Sequence, residues 1–129
     1  MTGQHPNGTS RIAEAVEHIE CDVVVNMQGD EPELDPQVID STVAVLGDSQ
    51  MATAACPLLE DEVNNENVVK VQVKDGFGID FSRITHEASL RHIGLYVYTP
   101  SFLQTYVELQ PTQNEIARRL EQMRAIDNG

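Results

Sequence analysis

A short acidic segment directly follows the most convincing buried strand of the sequence. The β-branched stretch at residues 22–27 runs into Gln28-Gly29-Asp30-Glu31-Pro32. In α/β proteins ligands bind beyond the carboxyl ends of strands, and carboxylate oxygens are ligands that Mg²⁺ prefers. Asp30 is therefore a candidate metal ligand. Because Asp and Pro are also common in polar turns for conformational reasons, the spacing alone favours a plain turn.

A second group of polar side chains lies in a later strand and near the end of the chain. His92 and Tyr96 are four residues apart in a predicted strand, where residues separated by two or four point to one face. Both can therefore line one pocket. Taken alone, a histidine in an apolar strand is more often structural, and Glu121 in the last predicted helix is more often exposed to solvent.

Basic residues are scarce, which limits the partners that we expect. The chain has 8 Lys and Arg against 21 Asp and Glu, a net charge of −13. This charge disfavours attraction to a nucleic-acid backbone, so we expect no nucleic-acid partner. Small anions can still bind where local cations or a divalent metal offset the repulsion. Arg83 and Arg91 are candidates because a guanidinium pairs bidentately with carboxylate or phosphate, although both can instead pair with local carboxylates.

The cysteines and the hydropathy pattern predict the compartment. Cys21 and Cys56 are far apart and form no CxxC or Cys/His pattern, so we expect no zinc site or disulfide framework. They are predicted to be buried thiols. No apolar run approaches the roughly 20 residues that cross a bilayer, and the first residues lack the hydrophobic segment of a signal peptide. We therefore expect a cytoplasmic protein with no membrane partner.

Strands alternate with helices along the chain, which is typical of an α/β sandwich. Periodicity, caps and turn residues predict helices at 11–20, 36–46, 100–109 and 114–127, and strands at 22–27, 51–56, 68–73, 78–82 and 92–98. Thr9 or Ser10 is expected to cap the first helix, and Asp75-Gly76 to turn a hairpin. We predict a three-layer α/β sandwich with a mainly parallel, mixed sheet, in one domain over residues 1–129.

Six ordered segments resemble one family, the 3-deoxy-manno-octulosonate (Kdo) cytidylyltransferases, also called CMP-Kdo synthetases. The resemblance is most specific at Val25-Asn26-Met27-Gln28-Gly29-Asp30-Glu31-Pro32, and the other matching segments are residues 7–15, 68–71, 81–83, 91–96 and 120–124. It implies a Rossmann-like nucleotidyltransferase fold. It also implies an enzyme that couples CTP and Kdo to CMP-Kdo plus pyrophosphate for lipopolysaccharide biosynthesis, and a homodimer as in the family.

The resemblance also implies roles for individual residues. Asp30 would bind Mg²⁺ as the catalytic metal ligand, because negative charge builds on the phosphate oxygens as pyrophosphate leaves. Gln28 would contact the cytosine or ribose, helped by the loop at Gly8. Lys70 lies in a matching segment without an implied role. The Kdo side would be lined by His92, Tyr96, Glu121 and Gln122, with Arg83 and Arg91 as second choices.

The sequence departs from the family pattern in three places. The family begins with a strand and a cationic nucleotide-binding loop, and its second metal-binding Asp lies in a later Asp-Thr-Pro segment; neither has a counterpart here. Only seven residues separate Arg83 from Arg91, where the family has an Ile-Pro stretch with an arginine. We therefore expect an incomplete cytidylyltransferase domain: a truncated product, joined pieces of a longer chain, or a remnant. The alternatives are a sialic-acid cytidylyltransferase and a noncatalytic binding or assembly module.

Overall fold

The computed structural model describes residues 1–29 and 33–129. The chain divides into two compact units, the first formed by Met1–Ala54 with Gly94–Leu109 and the second by Ala55–Ile93 with Gln110–Gly129. One strand, Leu90–Tyr98, contributes its first four residues to the second unit and the rest to the first unit. The prediction of a single domain over residues 1–129 stays a prediction.

The first unit packs helices against short strands. Its elements are α1 (Gly8–Val16), β1 (Val24–Met27), α2 (Pro36–Leu46), most of β2 (Met51–Cys56), the later part of β5 (Leu90–Tyr98) and α3 (Pro100–Glu108). β1 pairs antiparallel with β5, from Val24 opposite Tyr98 to Met27 opposite Leu95. β2 also pairs with β5. The apolar core of this unit is formed by Ala13, Val24, Tyr98 and Leu103.

Side-chain caps fix where the helices of the first unit begin. Asp35 caps α2, its Oδ1 accepting from the backbone N of Gln37 at 2.9 Å. The predicted start of α2 is thus confirmed. α1 begins earlier than predicted, because Asn7 and not Thr9 or Ser10 is the cap; Asn7 Oδ1 accepts from the backbone N of Ser10 at 2.9 Å. Thr9 is instead buried within the first turn.

The second unit is built on a hairpin. Its elements are β3 (Lys70–Lys74), β4 (Phe77–Ser82), the first part of β5, a 3₁₀ turn at Glu60–Glu62, α4 (Gln113–Arg118) and α5 (Met123–Asp127). β3 pairs antiparallel with β4 and with β5. The turn residues Asp75 and Gly76 have φ of 53° and 84°, as a two-residue type I′ hairpin requires, so the predicted hairpin is confirmed. The core consists of Val71, Phe81, Leu120 and Met123.

The α/β class is confirmed, but the mainly parallel sheet is wrong. The β1–β5, β3–β4 and β3–β5 pairings are all antiparallel. Antiparallel neighbours can be joined by a tight turn, as the two residues between β3 and β4 show. The run at Val23–Val25 suggested a strand buried on both faces, yet Val25 and Met27 are 38% and 52% exposed, which is the alternation of a half-covered antiparallel strand.

Two further expectations are corrected. The last predicted helix, 114–127, is broken into α4 and α5 because Arg119 adopts a left-handed conformation with φ 54° and ψ 46°. Cys56 is partly buried but Cys21 is exposed, so the prediction of a buried thiol is wrong for Cys21.

Within the part of the chain that the structure describes, none of the helices combines the length and apolar character needed to cross a membrane.

Candidate active site

The two predicted nucleotide-side residues lie in the first unit. Gly8 is the exposed first residue of α1, and apart from its own neighbours along the chain, residues 1–29 and 33–129 place no atom within 4 Å of the position that a Cβ would take there. Gln28 follows β1 directly and is half-buried; its backbone N donates to Gly94 O at 2.9 Å, which extends the strand pairing by one residue. Asp30, the predicted metal ligand, lies outside the described residues, as do Glu31 and Pro32.

The segment before Gly8 is tied to α1 through Glu14. The carboxylate of Glu14 accepts from the backbone N of Gly3 at 3.1 Å and contacts His5 Nε2. The Gly3 N–H, and then His5, hold the pKa of the Glu14 carboxyl below its ordinary value. Arg11 Nη1 also donates to Thr2 Oγ1 at 2.8 Å. These contacts orient the loop that leads into Gly8.

The sequence interpretation missed Asn26 as a candidate polar residue. Asn26 is 4% exposed and lies opposite Tyr96 in the β1–β5 pairing. Its Nδ2 is buried and finds no hydrogen-bond partner among residues 1–29 and 33–129. Buried amide donors are normally hydrogen-bonded, so Asn26 joins the candidate polar residues of the first unit. The signal in the sequence was an amide inside an otherwise apolar strand.

The described residues do not by themselves form a metal centre. Outside the gap at 30–32, no three His, Cys, Asp or Glu side chains come together in a way that could hold a metal ion. Mg²⁺ is commonly held by one or two carboxylates together with substrate phosphates, so a single carboxylate such as Asp30 suits it without a cage of protein ligands. The Mg²⁺ prediction depends on Asp30 and stays a prediction.

His92 is a buried, neutral histidine in the second unit. The residue is 8% exposed, and its imidazole meets the ring of Phe81 edge-on, with centroids 5.1 Å apart and planes at 85°. Burial lowers the pKa of His92 to about 4, because the charged imidazolium is poorly solvated there. At neutral pH the ring therefore has one donor nitrogen and one acceptor nitrogen, which suits a hydroxyl-rich ligand.

Glu121 and Gln122 lie in the same unit as His92, in the turn between α4 and α5. Gln122 is buried and immediately precedes α5, while Glu121 is half-buried. Leu120 and Met123, on either side of them, pack in the same cluster as Phe81, the ring that His92 contacts. Three of the four predicted Kdo-side residues thus belong to one unit and adjoin one core.

Tyr96, the fourth, belongs to the first unit. Its ring stacks on Tyr98 with centroids 6.2 Å apart and planes at 19°, next to the core formed by Ala13, Val24 and Leu103. The strand alternation that placed His92 and Tyr96 on one face does not place them in one unit. Their common pocket stays a prediction.

The three cations considered from the sequence are engaged by a loop, residues 62–67, which we call the acceptor loop. Lys70 Nζ donates to Asn65 O at 2.6 Å and to Arg83 O at 2.9 Å. Arg83 Nη1 donates to the backbone O of Glu66 at 3.0 Å. Arg91 Nη1 lies 3.2 Å from Glu62 Oε1.

These contacts bear on the predicted roles of the cations. The pairing of Arg91 with Glu62 is the local-carboxylate alternative, whereas Arg83 is held by backbone carbonyls. A substrate anion would have to share or displace these partners. Lys70, which had no predicted role, links the acceptor loop to the end of β4.

Two curated proteins that are similar in sequence to this chain carry the same family name. A 3-deoxy-manno-octulosonate cytidylyltransferase from Syntrophotalea carbinolica is 40% identical over 147 aligned positions, covering 97% of this chain and 59% of the relative. One from Anaeromyxobacter dehalogenans is 39% identical, covering 100% of this chain and 59% of its own length. The chain thus spans about three-fifths of these curated relatives. The first alignment has more positions than this chain has residues, so the relative contains residues that this chain lacks.

A solved structure confirms the nucleotidyltransferase fold predicted from the resemblance. It is described as CMP:2-keto-3-deoxy-manno-octonic acid synthetase complexed with CTP, and it matches with a TM-score of 0.91 at 30% identity. The match covers 100% of this chain and 59% of that one. The family model described as cytidylyltransferase matches residues 1–129, the whole sequence. On this full-length match, the chain belongs to the cytidylyltransferase family.

Proposed function

We propose that this chain is part of an enzyme that transfers the cytidylyl group of CTP to Kdo. One observation carries the proposal: the whole chain matches, at a TM-score of 0.91, a synthetase whose structure is described as complexed with CTP. The anomeric hydroxyl oxygen of Kdo attacks the α-phosphorus, the bond to the bridging oxygen breaks, and pyrophosphate leaves. The hydroxyl proton passes to solvent. No protein nucleophile is required, so positioning and charge stabilisation are the protein's contribution.

On the nucleotide side, Gln28 contacts the cytosine or ribose and Gly8 lets the ligand approach the start of α1. A primary amide has both a donor and an acceptor, as the edge of cytosine also does. Gly8 has no side chain and is exposed at the start of α1, so its backbone N–H is accessible to a ligand. The N-terminal end of α1 also favours negative charge.

On the sugar side, His92, Glu121 and Gln122 hold the hydroxyl groups of Kdo. The neutral state of His92 supports this assignment, since a neutral imidazole can accept from one hydroxyl and donate to another. Tyr96, in the first unit, is assigned to the sugar by the resemblance alone. Arg83 and Arg91 are the candidates for the sugar carboxylate, in competition with the acceptor loop.

Substitutions on the sugar side test the proposal. We expect Glu121→Ala or His92→Ala to weaken Kdo binding about tenfold or more, through lost hydrogen bonds, while CTP binding changes less than about twofold. Isothermal titration of each ligand measures both. Glu87→Ala, an exposed carboxylate in the same unit, is the control and should change neither. Equal losses for CTP and Kdo would contradict the division of ligands between these residues.

The metal proposal is separate and depends on Asp30. When bound, Mg²⁺ neutralises charge on the phosphate oxygens of CTP. We expect Asp30→Asn, which keeps the size and removes the charge, to reduce the gain in CTP affinity on adding Mg²⁺ by about tenfold. Titrations with Mg²⁺ and with EDTA measure this gain. Asp48→Asn, exposed after α2, should leave it unchanged; an unaltered gain in Asp30→Asn would reject Asp30 as the ligand.

Two alternative functions are less well supported. The curated relatives carry the name of Kdo and not of sialic acid, which favours Kdo as the acceptor. A noncatalytic binding module is motivated by the chain spanning only 59% of those relatives. Pyrophosphate release with CTP, Mg²⁺ and either sugar acid separates all three functions.

We also propose that the protein is a homodimer in the cytoplasm, where it would serve lipopolysaccharide biosynthesis. The dimer is supported by three large apolar side chains exposed on the β3–β4 hairpin: Val73, Phe77 and Ile79. Apolar patches of this kind on a soluble protein favour association. Sedimentation equilibrium should give twice the chain mass, and Phe77→Glu should shift it toward the monomer; a monomer at high concentration would reject the dimer.

A further inference from the structure

We propose that the buried ion pair between Glu115 and Arg124 positions Glu121 and Gln122 for the sugar acid. The inference rests on the proposed function, because it concerns residues assigned to the Kdo side. Neither Glu115 nor Arg124 is assigned to touch substrate. Both act through the turn at residues 119–122, which we call the sugar turn.

The pair is bidentate and shielded from water. Arg124 Nε donates to Glu115 Oε2 at 2.8 Å, and Arg124 Nη2 donates to Glu115 Oε1 at 2.5 Å. The Arg124 side chain is 7% exposed and the Glu115 side chain is 12% exposed. A guanidinium with two parallel bonds to one carboxylate fixes direction as well as distance, which a single surface pair does not.

Glu115 connects this pair to the start of α4 and to the first two residues of the sugar turn. Its side chain accepts from the backbone N of Thr112, completing a capping box at the start of α4. Its backbone O accepts from the N–H of Arg119 and, at 3.2 Å, from that of Leu120. Arg124, across the turn, donates its own backbone N to Glu121 O at 3.0 Å. The ion pair therefore closes a ring of contacts around the sugar turn.

The sugar turn needs such external ties. Arg119 adopts φ 54° and ψ 46°, a left-handed conformation that is unfavourable for a residue with a Cβ. The helices on either side have six and five residues, too short to be stable on their own. Their geometry is therefore set by the core contacts of Leu120 and Met123 and by the Glu115–Arg124 pair.

A second arginine in α4 provides a matched control. Arg118 Nη1 contacts Asp80 Oδ1 and donates to Phe81 O at 2.7 Å, so it ties α4 to β4. Its third contact, from Nη1 to Met123 Sδ at 3.9 Å, lies just beyond the sugar turn. Weakening these single-nitrogen contacts should reduce stability while leaving the sugar turn in place.

Titration of purified chain with Kdo and CTP separately tests the proposal. We expect Arg124→Lys, which keeps the charge but loses the fork, to weaken Kdo binding about tenfold and CTP binding less than about twofold. Glu115→Gln, which keeps the shape, should act in the same direction and serves if Arg124→Lys does not fold. Arg118→Lys should leave both affinities within about twofold even where it lowers Tm.

The outcomes separate this proposal from the proposed function. If the Kdo affinity of both Arg124→Lys and Glu115→Gln stays within about twofold of wild type, the positioning role is overturned. The proposed function is unaffected by that result. Equal losses for CTP and Kdo, or the same Kdo loss in Arg118→Lys, also overturn the positioning role, because they report general destabilisation. A wild-type chain that binds CTP but not Kdo overturns the sugar assignment and this inference with it.

Discussion

Replacing Lys70 by methionine should lower the free energy of unfolding by about 2–4 kcal/mol, because two hydrogen bonds from a buried ammonium, worth about 1–2 kcal/mol each, are lost. Lys70 is 1% exposed, and its ammonium is shared between Asn65 O and Arg83 O. Methionine keeps the apolar stem and removes the three N–H donors. Urea unfolding followed by circular dichroism measures the change.

Lys74 in the same strand is the control for Lys70. It is exposed, and Lys74→Met should change the free energy of unfolding by less than about 0.5 kcal/mol. Lys70→Arg should recover part of the loss, because it keeps a cationic donor, although its larger head fits the site less well. Equal effects of the methionine substitutions at positions 70 and 74 would contradict the structural role of Lys70.

A buried lysine held by carbonyls also explains why the acceptor loop was not predicted. Arg83 and Arg91 were candidates for anion binding, with pairing to local carboxylates as the alternative, and Lys70 had no predicted role. The acceptor loop supplies backbone oxygens to Lys70 and Arg83 and the Glu62 carboxylate to Arg91, and backbone oxygens carry no mark in the sequence. Loop carbonyls that meet side-chain donors are set by tertiary structure, so the sequence alone does not reveal them.

Local features were predictable where the determinants are neighbours in sequence. Asp75-Gly76 turns the hairpin because both residues tolerate positive φ, and Asp35-Pro36 begins α2 because cap and first-turn proline are adjacent. The break at Arg119 was not predictable, since Ile116, Leu120 and Met123 continue a helical pattern across it. The helices on either side of the break are joined by the ion pair of Glu115 with Arg124, nine residues apart. Ile116 is exposed.

The candidate site was predictable only in part, and through resemblance more than through spacing. His92, Glu121 and Gln122 fall in one unit, although they are about 30 positions apart in sequence. Asn26 was passed over because the β-branched residues around it define the strand and its amide carries no motif of its own. Its buried Nδ2 became visible only from the pairing of β1 with β5.

Lowering the pH from about 7 to about 5 should cost the native state about 2 kcal/mol through His92 alone. The pKa of His92 is lowered by burial from 6.5 to about 4. Above the unfolded value both states are neutral and His92 contributes nothing to the pH dependence. As the pH falls below that value, the unfolded chain takes up a proton that the folded chain refuses, so stability decreases until the folded pKa is reached.

His92→Gln isolates this contribution, because glutamine keeps a polar side chain but has no titration in this range. The difference in unfolding free energy between about pH 7 and about pH 5 should be smaller in the variant than in wild type by about 2 kcal/mol. Carboxylates titrate equally in both proteins and cancel in the comparison. His18→Gln, at an exposed position after α1, should retain the wild-type pH dependence. If His92→Gln lost stability on acidification as steeply as wild type, the pKa of His92 in the fold would equal its unfolded value, and His92 would be charged at about pH 5. A charged imidazolium has two donors and no acceptor, so the proposed contact in which His92 accepts from a Kdo hydroxyl would then be lost on acidification, contrary to the lowered pKa.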